Sequence, residues 1–121
     1  EHTICIYPDA SGTSRKSVDA SRSDLAILRQ AGFSIRAPRK NPAIKDRVNA
    51  SNAAFSNGLV KVHPKKCSEL VKCLEQQAYD KNGYPDKQGG FDHVNDAASY
   101  LMSYELPVVK PVSDVRIAFA M

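Results

Sequence analysis

Apolar residues along this chain arrive in short bursts, and the spacing inside the bursts switches between that of a strand and that of a helix. Residues 3–7 (TICIY) are β-branched and aromatic and stop at PDASG, which predicts a buried strand ending in a turn. Residues 11–23, rich in Ser, Lys and Arg, read as a loop. Ser23 then caps a helix beginning at Asp24, with Leu25, Ile27 and Leu28 on its apolar face and Gly32 at its end. FSIRA, residues 33–37, is a second strand stopped by Pro38. Asn41-Pro42 opens a second helix, with Ile44, Val48 and Phe55 on its apolar side and Asn57-Gly58 closing it.

The second half continues the alternation. LVKV, residues 59–62, reads as a third strand, and Pro64 starts a third helix that turns Leu70, Val71 and Leu74 inward. Residues 80–90 (DKNGYPDKQGG) are polar, with three glycines and a proline, the composition of a mobile loop. A fourth helix covers 92–105 and stops before Pro107, with Val94, Ala97, Ala98 and Leu101 on its core-facing side. The C-terminal tail, 107–121, holds a last strand near 115–119. Strands alternating with helices predict a single α/β domain over 1–121, with a mainly parallel sheet flanked by helices.

Bulk composition changes this picture little. The 121 residues suit one domain, and 42% hydrophobic content supports one modest core. No run reaches the roughly 18 apolar residues of a membrane span. The three cysteines, Cys5, Cys67 and Cys73, are irregularly spaced and form no CxxC pair. That argues against a disulfide framework and a structural zinc site, and favours a reducing, intracellular setting without secretion. The net charge of +4 is uneven. Between residues 29 and 47 stand Arg29, Arg36, Arg39, Lys40, Lys45 and Arg47, against one acid, Asp46. Such a stretch either grips phosphates or is a solvated face.

The candidate chemistry lies in three carboxylates. Asp9 follows the first strand, and ligands of open α/β sheets gather at the C-terminal ends of strands. Its alternative is a turn residue, since Pro-Asp-x-x-Gly favours an Asx turn. Asp92 and Asp96 stand four apart in the first half of the last helix. There the helix dipole stabilises negative charge, and that is their alternative. Clustered carboxylates repel unless a divalent cation lies among them, and Mg²⁺ and Mn²⁺ prefer oxygen ligands. Two such ions can activate water and stabilise the leaving oxygen of a phosphodiester. On the helical wheel Asp96 lies nearer the core side than Asp92, which makes it the stronger partner for Asp9. His93, beside Asp92, is a weaker candidate to ligate or orient. No P-loop, GxSxG or HExxH occurs.

Five segments in order, IYPDASGTSRKS, SDLAILRQAGF, NPAIKDRVNASNAAF, CSELVKCLEQQAYD and DHVNDAASYL, resemble the C-terminal nuclease domain of the large terminase subunit of tailed bacteriophages. The resemblance covers residues 4–111, and NPAIKDRVNASNAAF is its most distinctive piece. It implies a ribonuclease-H-like fold and two-metal hydrolysis of viral DNA during genome packaging, with Mg²⁺ or Mn²⁺. Asp9 matches the acid after a central strand and Asp96 the acid opening the last helix, with Asp92 a neighbour at a more variable position. Asp46-Arg47 matches a charged pair without an assigned role. Double-stranded DNA, the small terminase subunit and the portal are the implied partners, in the cytoplasm of a bacterial host, with no membrane.

The family's first strand carries another catalytic aspartate, and the chain opens at Glu1 without that strand. The resemblance therefore implies an N-terminally shortened domain that cleaves weakly or not at all alone. An uncovered sheet edge would also pair two chains into a homodimer. The competing expectation is a non-enzymatic DNA-binding or motor-assembly module. It would use Arg36, Arg39, Lys40, Lys45 and Arg47 to hold phosphates.

Overall fold

The computed structural model describes residues 2–9 and 18–108, with side chains in the first helix described from Asp24 onward. The elements run β1 (Cys5–Ile6), α1 (Val18–Gln30), β2 (Ser34–Ile35), α2 (Ile44–Ser56), α3 (Ser68–Gln76) and α4 (Asp92–Glu105). β1 and β2 pair in parallel, Cys5 opposite Ser34 and Ile6 opposite Ile35. Ser34 N–H donates to the Ile4 carbonyl and Arg36 N–H to that of Ile6, both at 2.9 Å. A parallel pair needs a crossover, and α1 supplies it, packing on β2. The domain is thus α/β, with a short parallel sheet and four helices among the described residues.

Two helix ends follow directly from glycine. At the end of α1, Phe33 N–H donates to Leu28 C=O and Gly32 N–H to Arg29 C=O, with Gly32 at φ +97°. At the end of α2, Leu59 N–H donates to Ala54 C=O and Gly58 N–H to Phe55 C=O, with Gly58 at φ +68°. Both are Schellman closures, whose left-handed position favours a residue without Cβ.

Three elements differ from expectation. α1 begins at Val18, not Asp24, so Ser23 lies inside the helix rather than capping it. VDASRS contains neither Gly nor Pro, and each polar residue costs only a few tenths of a kcal/mol in a helix, so nothing ends it sooner. Residues 59–62 are not a strand. Leu59 is exposed, its N–H is used in closing α2, and no neighbouring strand pairs with the segment among the described residues. α3 starts at Ser68 after a turn over 64–67, where His63 Nδ1 accepts from the N–H groups of Lys65 and Lys66, each at 3.2 Å. The expected strand near 115–119, and all of the tail from residue 109, lie outside the described residues.

The core is built where α4 meets α2 and α3. Arg47, Ala50 and Ala54 form one stripe of α2, and the two small alanines let α4 approach closely. Met102 of α4 and Cys73 of α3 fill the junction. The buried stripe of α4 is Asp92, Ser99 and Met102, with Asn95 between. The apolar side of the helical wheel faces inward only in part: Val94 and Ala98 are half-buried, whereas Ala97 and Leu101 are exposed. A polar stripe can be buried here because partners meet it. Asn95 Nδ2 donates to Cys73 C=O and to Gln77 Oε1, both at 2.9 Å, and Ser99 Oγ receives Arg47.

Candidate functional site

Asp9 stands three residues beyond β1, at the C-terminal edge of the parallel pair. Asp92, Asp96 and Tyr100 follow one another at four-residue spacing, so they form a single ridge along α4. The residues beyond β1 run beside α4: Tyr7 packs on Tyr104, and Asp9 shares a recess with Asp96 and Tyr100. The result is a cleft of about 850 Å³ lined by Asp9, Asn41, Arg47, Asp92, Asp96 and Tyr100, with Asp80, Tyr84 and Asp86 of the connecting loop opposite. A smaller adjoining recess is lined by Tyr7, Asp9, His93, Asp96 and Tyr100. The three carboxylates singled out from the sequence therefore share one cleft.

Each carboxylate has a different environment. Asp9 accepts a hydrogen bond from Asn41 Nδ2, and Tyr100 lines the same recess. Asp96 is held by Arg47, whose Nη1 lies 3.3 Å from its Oδ1, and its side chain keeps 38% of its exposure. Asp92 is only 5% exposed, and its Oδ1 is buried without a hydrogen-bond partner among the described residues; His93 Nε2 approaches it to 3.9 Å. Burial pushes the Tyr100 hydroxyl pKa up, and the negative charges of Asp9 and Asp96 push it further, against the pull of Arg47. Tyr100 thus feels both acids at once and stays a neutral donor.

The basic stretch is divided in use. Arg47 is 7% exposed, with its guanidinium turned into the α2–α4 junction rather than to solvent. Arg36 is bound to Glu105 and Tyr7 at the other end of α4. Lys45 Nζ sits 5.1 Å from the centre of the Tyr84 ring, against the loop. Arg39 and Lys40 are exposed. The loop over 80–90 contains no helix, but it is well knit. Asp80 Oδ1 accepts from Asn82 N–H at 2.8 Å and Tyr84 N–H at 3.0 Å, and Asp86 Oδ1 from Gln88 N–H at 3.1 Å. Sequence reasoning missed Asn41, Ser99 and Tyr100 as parts of the site. Only Tyr100 carried a signal, standing one turn beyond Asp96 on the same ridge.

The donor set can be tested against the Mg²⁺ or Mn²⁺ expected from the sequence. Among the described residues, no three His, Cys, Asp or Glu side chains converge closely enough to hold an ion together. A hydrated Mg²⁺ needs only one or two carboxylates, its other positions going to water and substrate phosphate. Asp9 and Asp96 fit that role, because both line the cleft and both act on Tyr100. The orphaned Oδ1 of Asp92 adds a buried acceptor in the same cleft. The fit is to one ion with open positions. A pair of ions would need further ligands.

Residues 1–105 match the family described as the Terminase RNaseH-like domain. No curated protein and no solved structure matches the chain. The match spans nearly the whole chain, including β1, α4 and every residue of the cleft.

Proposed function

We propose that this chain, which belongs to the terminase RNaseH-like family of nuclease-type modules, provides the metal-binding cleft of a DNA endonuclease acting in phage genome packaging. The observation that carries the proposal is the meeting of Asp9 and Asp96 at one cleft, from distant parts of the chain. The cleft is lined by five aspartates against the two cations Arg47 and Lys87, an excess of negative charge that a divalent ion would offset.

In this reading Asp9 and Asp96 hold Mg²⁺ or Mn²⁺, with Asp92 in the same cleft but outside that pair. A bound divalent ion supplies charge neutralisation at the scissile phosphate and a more acidic bound water. The chain's own residues supply orientation. Asn41 holds the Asp9 carboxylate, and Tyr100, whose hydroxyl pKa is pushed up mainly by burial, stays neutral beside it. Arg39 and Lys40, exposed on the segment between β2 and α2, hold the backbone of double-stranded DNA. Arg36 and Lys45 contribute charge at the same edge while remaining tied to Glu105 and Tyr84.

The test is cleavage of plasmid DNA with Mn²⁺, by the parent protein and by its Asp96→Asn variant. Metal-dependent cutting that the substitution removes supports the proposal. Cutting that persists without metal, or unchanged in Asp96→Asn, contradicts it. DNA binding without cutting, in a parent that also takes up no Mn²⁺, favours the non-enzymatic alternative, a DNA-binding or assembly module, for which the exposed Arg39 and Lys40 suffice.

A further inference from the structure

Arg47 is a buried cation whose anchoring does not depend on its acidic partner. Its Nη1 donates to Ser99 Oγ at 2.8 Å, and its guanidinium carbon lies 4.5 Å from the centre of the Tyr100 ring. Ser99 Oγ in turn donates to Asp96 C=O at 2.7 Å, one turn back along α4. The Asp96 carboxylate is the farther neighbour at 3.3 Å, longer than the 2.7–2.9 Å typical of a strong charged hydrogen bond. Arg47 Nε is buried with no partner among the described residues. A core ion pair evolved only for packing would satisfy more of these donors, because an incompletely paired buried guanidinium is costly. Holding this charge in place with Ser99 and Tyr100 makes sense if its purpose is to act on Asp96.

We infer that Arg47 is a positioning residue. It holds Oδ1 of Asp96 against α2 so that the rest of the carboxylate, still 38% exposed, is directed into the cleft in a fixed orientation. The same guanidinium covers the face of Tyr100, which lines the cleft together with Asp9 and Asp96. Arg47 itself, at 7% exposure, does not reach out to DNA. This inference rests on the proposal that Asp96 binds a metal ion. It differs in assigning Arg47 to the ligand rather than to the substrate.

The experiment is Mn²⁺ titration by calorimetry on the parent, Arg47→Met, Ser99→Ala and Ala54→Gly. Ala54 is buried on the same stripe of α2 but lines no part of the cleft, so it controls for lost stability. Loss of a residue that orients a metal ligand typically weakens metal affinity about 10–100-fold. Arg47→Met is expected to fall in that range, Ser99→Ala to fall less, and Ala54→Gly to match the parent. Circular dichroism establishes that each variant is folded; if Arg47→Met is not, Ser99→Ala decides. Unchanged affinity in the deciding variant overturns the inference. So does tighter binding, the result if Arg47 merely competes with the ion. Equal weakening in Ala54→Gly overturns it as well, since general loosening would then explain the effect. A parent that binds no Mn²⁺ brings down the metal proposal itself, and the inference with it.

Discussion

Tyr7, Arg36 and Glu105 form a clamp between the sheet edge and the C-terminal end of α4. The hydrogen bond from Tyr7, and then that from Arg36, holds the Glu105 carboxyl below the usual carboxylate range. The same bond to Glu105, with some burial, pushes the Tyr7 hydroxyl up. A depressed carboxyl contributes stability above its unfolded value of about 4.3 and loses it as pH falls through the lower folded value. A raised phenol contributes below its unfolded value of about 10 and loses it as pH rises through the higher folded one. The clamp thus contributes across the neutral range and is released at both ends. Glu105→Gln should move the Tyr7 titration down toward about 10, read by tyrosinate absorbance with Tyr7→Phe to assign the signal. An unmoved curve would mean that the phenol is not bonded to Glu105.

Residue identities were legible to different degrees for physical reasons. Asp9 and Asp96 stood out in the sequence because ligands of α/β sheets gather at strand ends and negative charge is stabilised near helix N-termini, and the fold brings the two to one cleft. Arg47 read as a surface cation, because nothing in a local pattern reveals a buried guanidinium. Its burial depends on Ala50 and Ala54 giving α4 room to approach, and on Ser99 waiting across the gap.

Elements were legible where a terminator stood in the chain. Gly32, Gly58 and Pro107 bracket helices that end as expected. The start of α1 was misplaced because a helix runs on through Ser and Arg unless something stops it. The inward face of α4 was misread in part because counting apolar side chains assumes an apolar core, whereas this junction buries Asp92, Asn95 and Ser99 among polar neighbours. Two predictions belong at this scale. Gly58→Ala places a Cβ in the left-handed region at φ +68° and should cost about 1 kcal/mol, measured by urea unfolding. Open space around that position means that strain alone sets the cost, so no loss at all would contradict the Schellman closure. Ala54→Leu overfills the α2–α4 junction and should cost about 1–3 kcal/mol by the same measurement. A stabilised variant would mean that the helices are not closely packed there.

At the scale of the whole molecule, α4 packs on α2 and α3 to form the core, and the acidic cleft is lined by α4, α2, the loop before α4 and the segment beyond β1. Lys40 lines a recess that shares Pro42 and Tyr100 with the cleft, and Arg39, its chain neighbour, is exposed as it is. Replacing both by Glu should weaken DNA binding and flatten its salt dependence, by roughly 0.9 in log–log slope for each phosphate no longer neutralised. A fluorescence-anisotropy titration at several salt concentrations checks this; an unchanged slope would move the DNA-binding edge elsewhere. Family and fold class were recoverable from ordered segments of sequence, since residues 1–105 match the same family. The bracing of the cleft was not, because it depends on hydrogen bonds between residues far apart in the chain, such as Asn41 with Asp9 and Arg47 with Ser99.

The central claim is that Asp9 and Asp96 share one metal ion. Calorimetric titration of Mn²⁺ into the parent, Asp9→Ala and Asp96→Ala tests it most directly. The account predicts binding in the parent that either substitution removes. Binding that survives both substitutions, or a parent that takes up no ion, would contradict it.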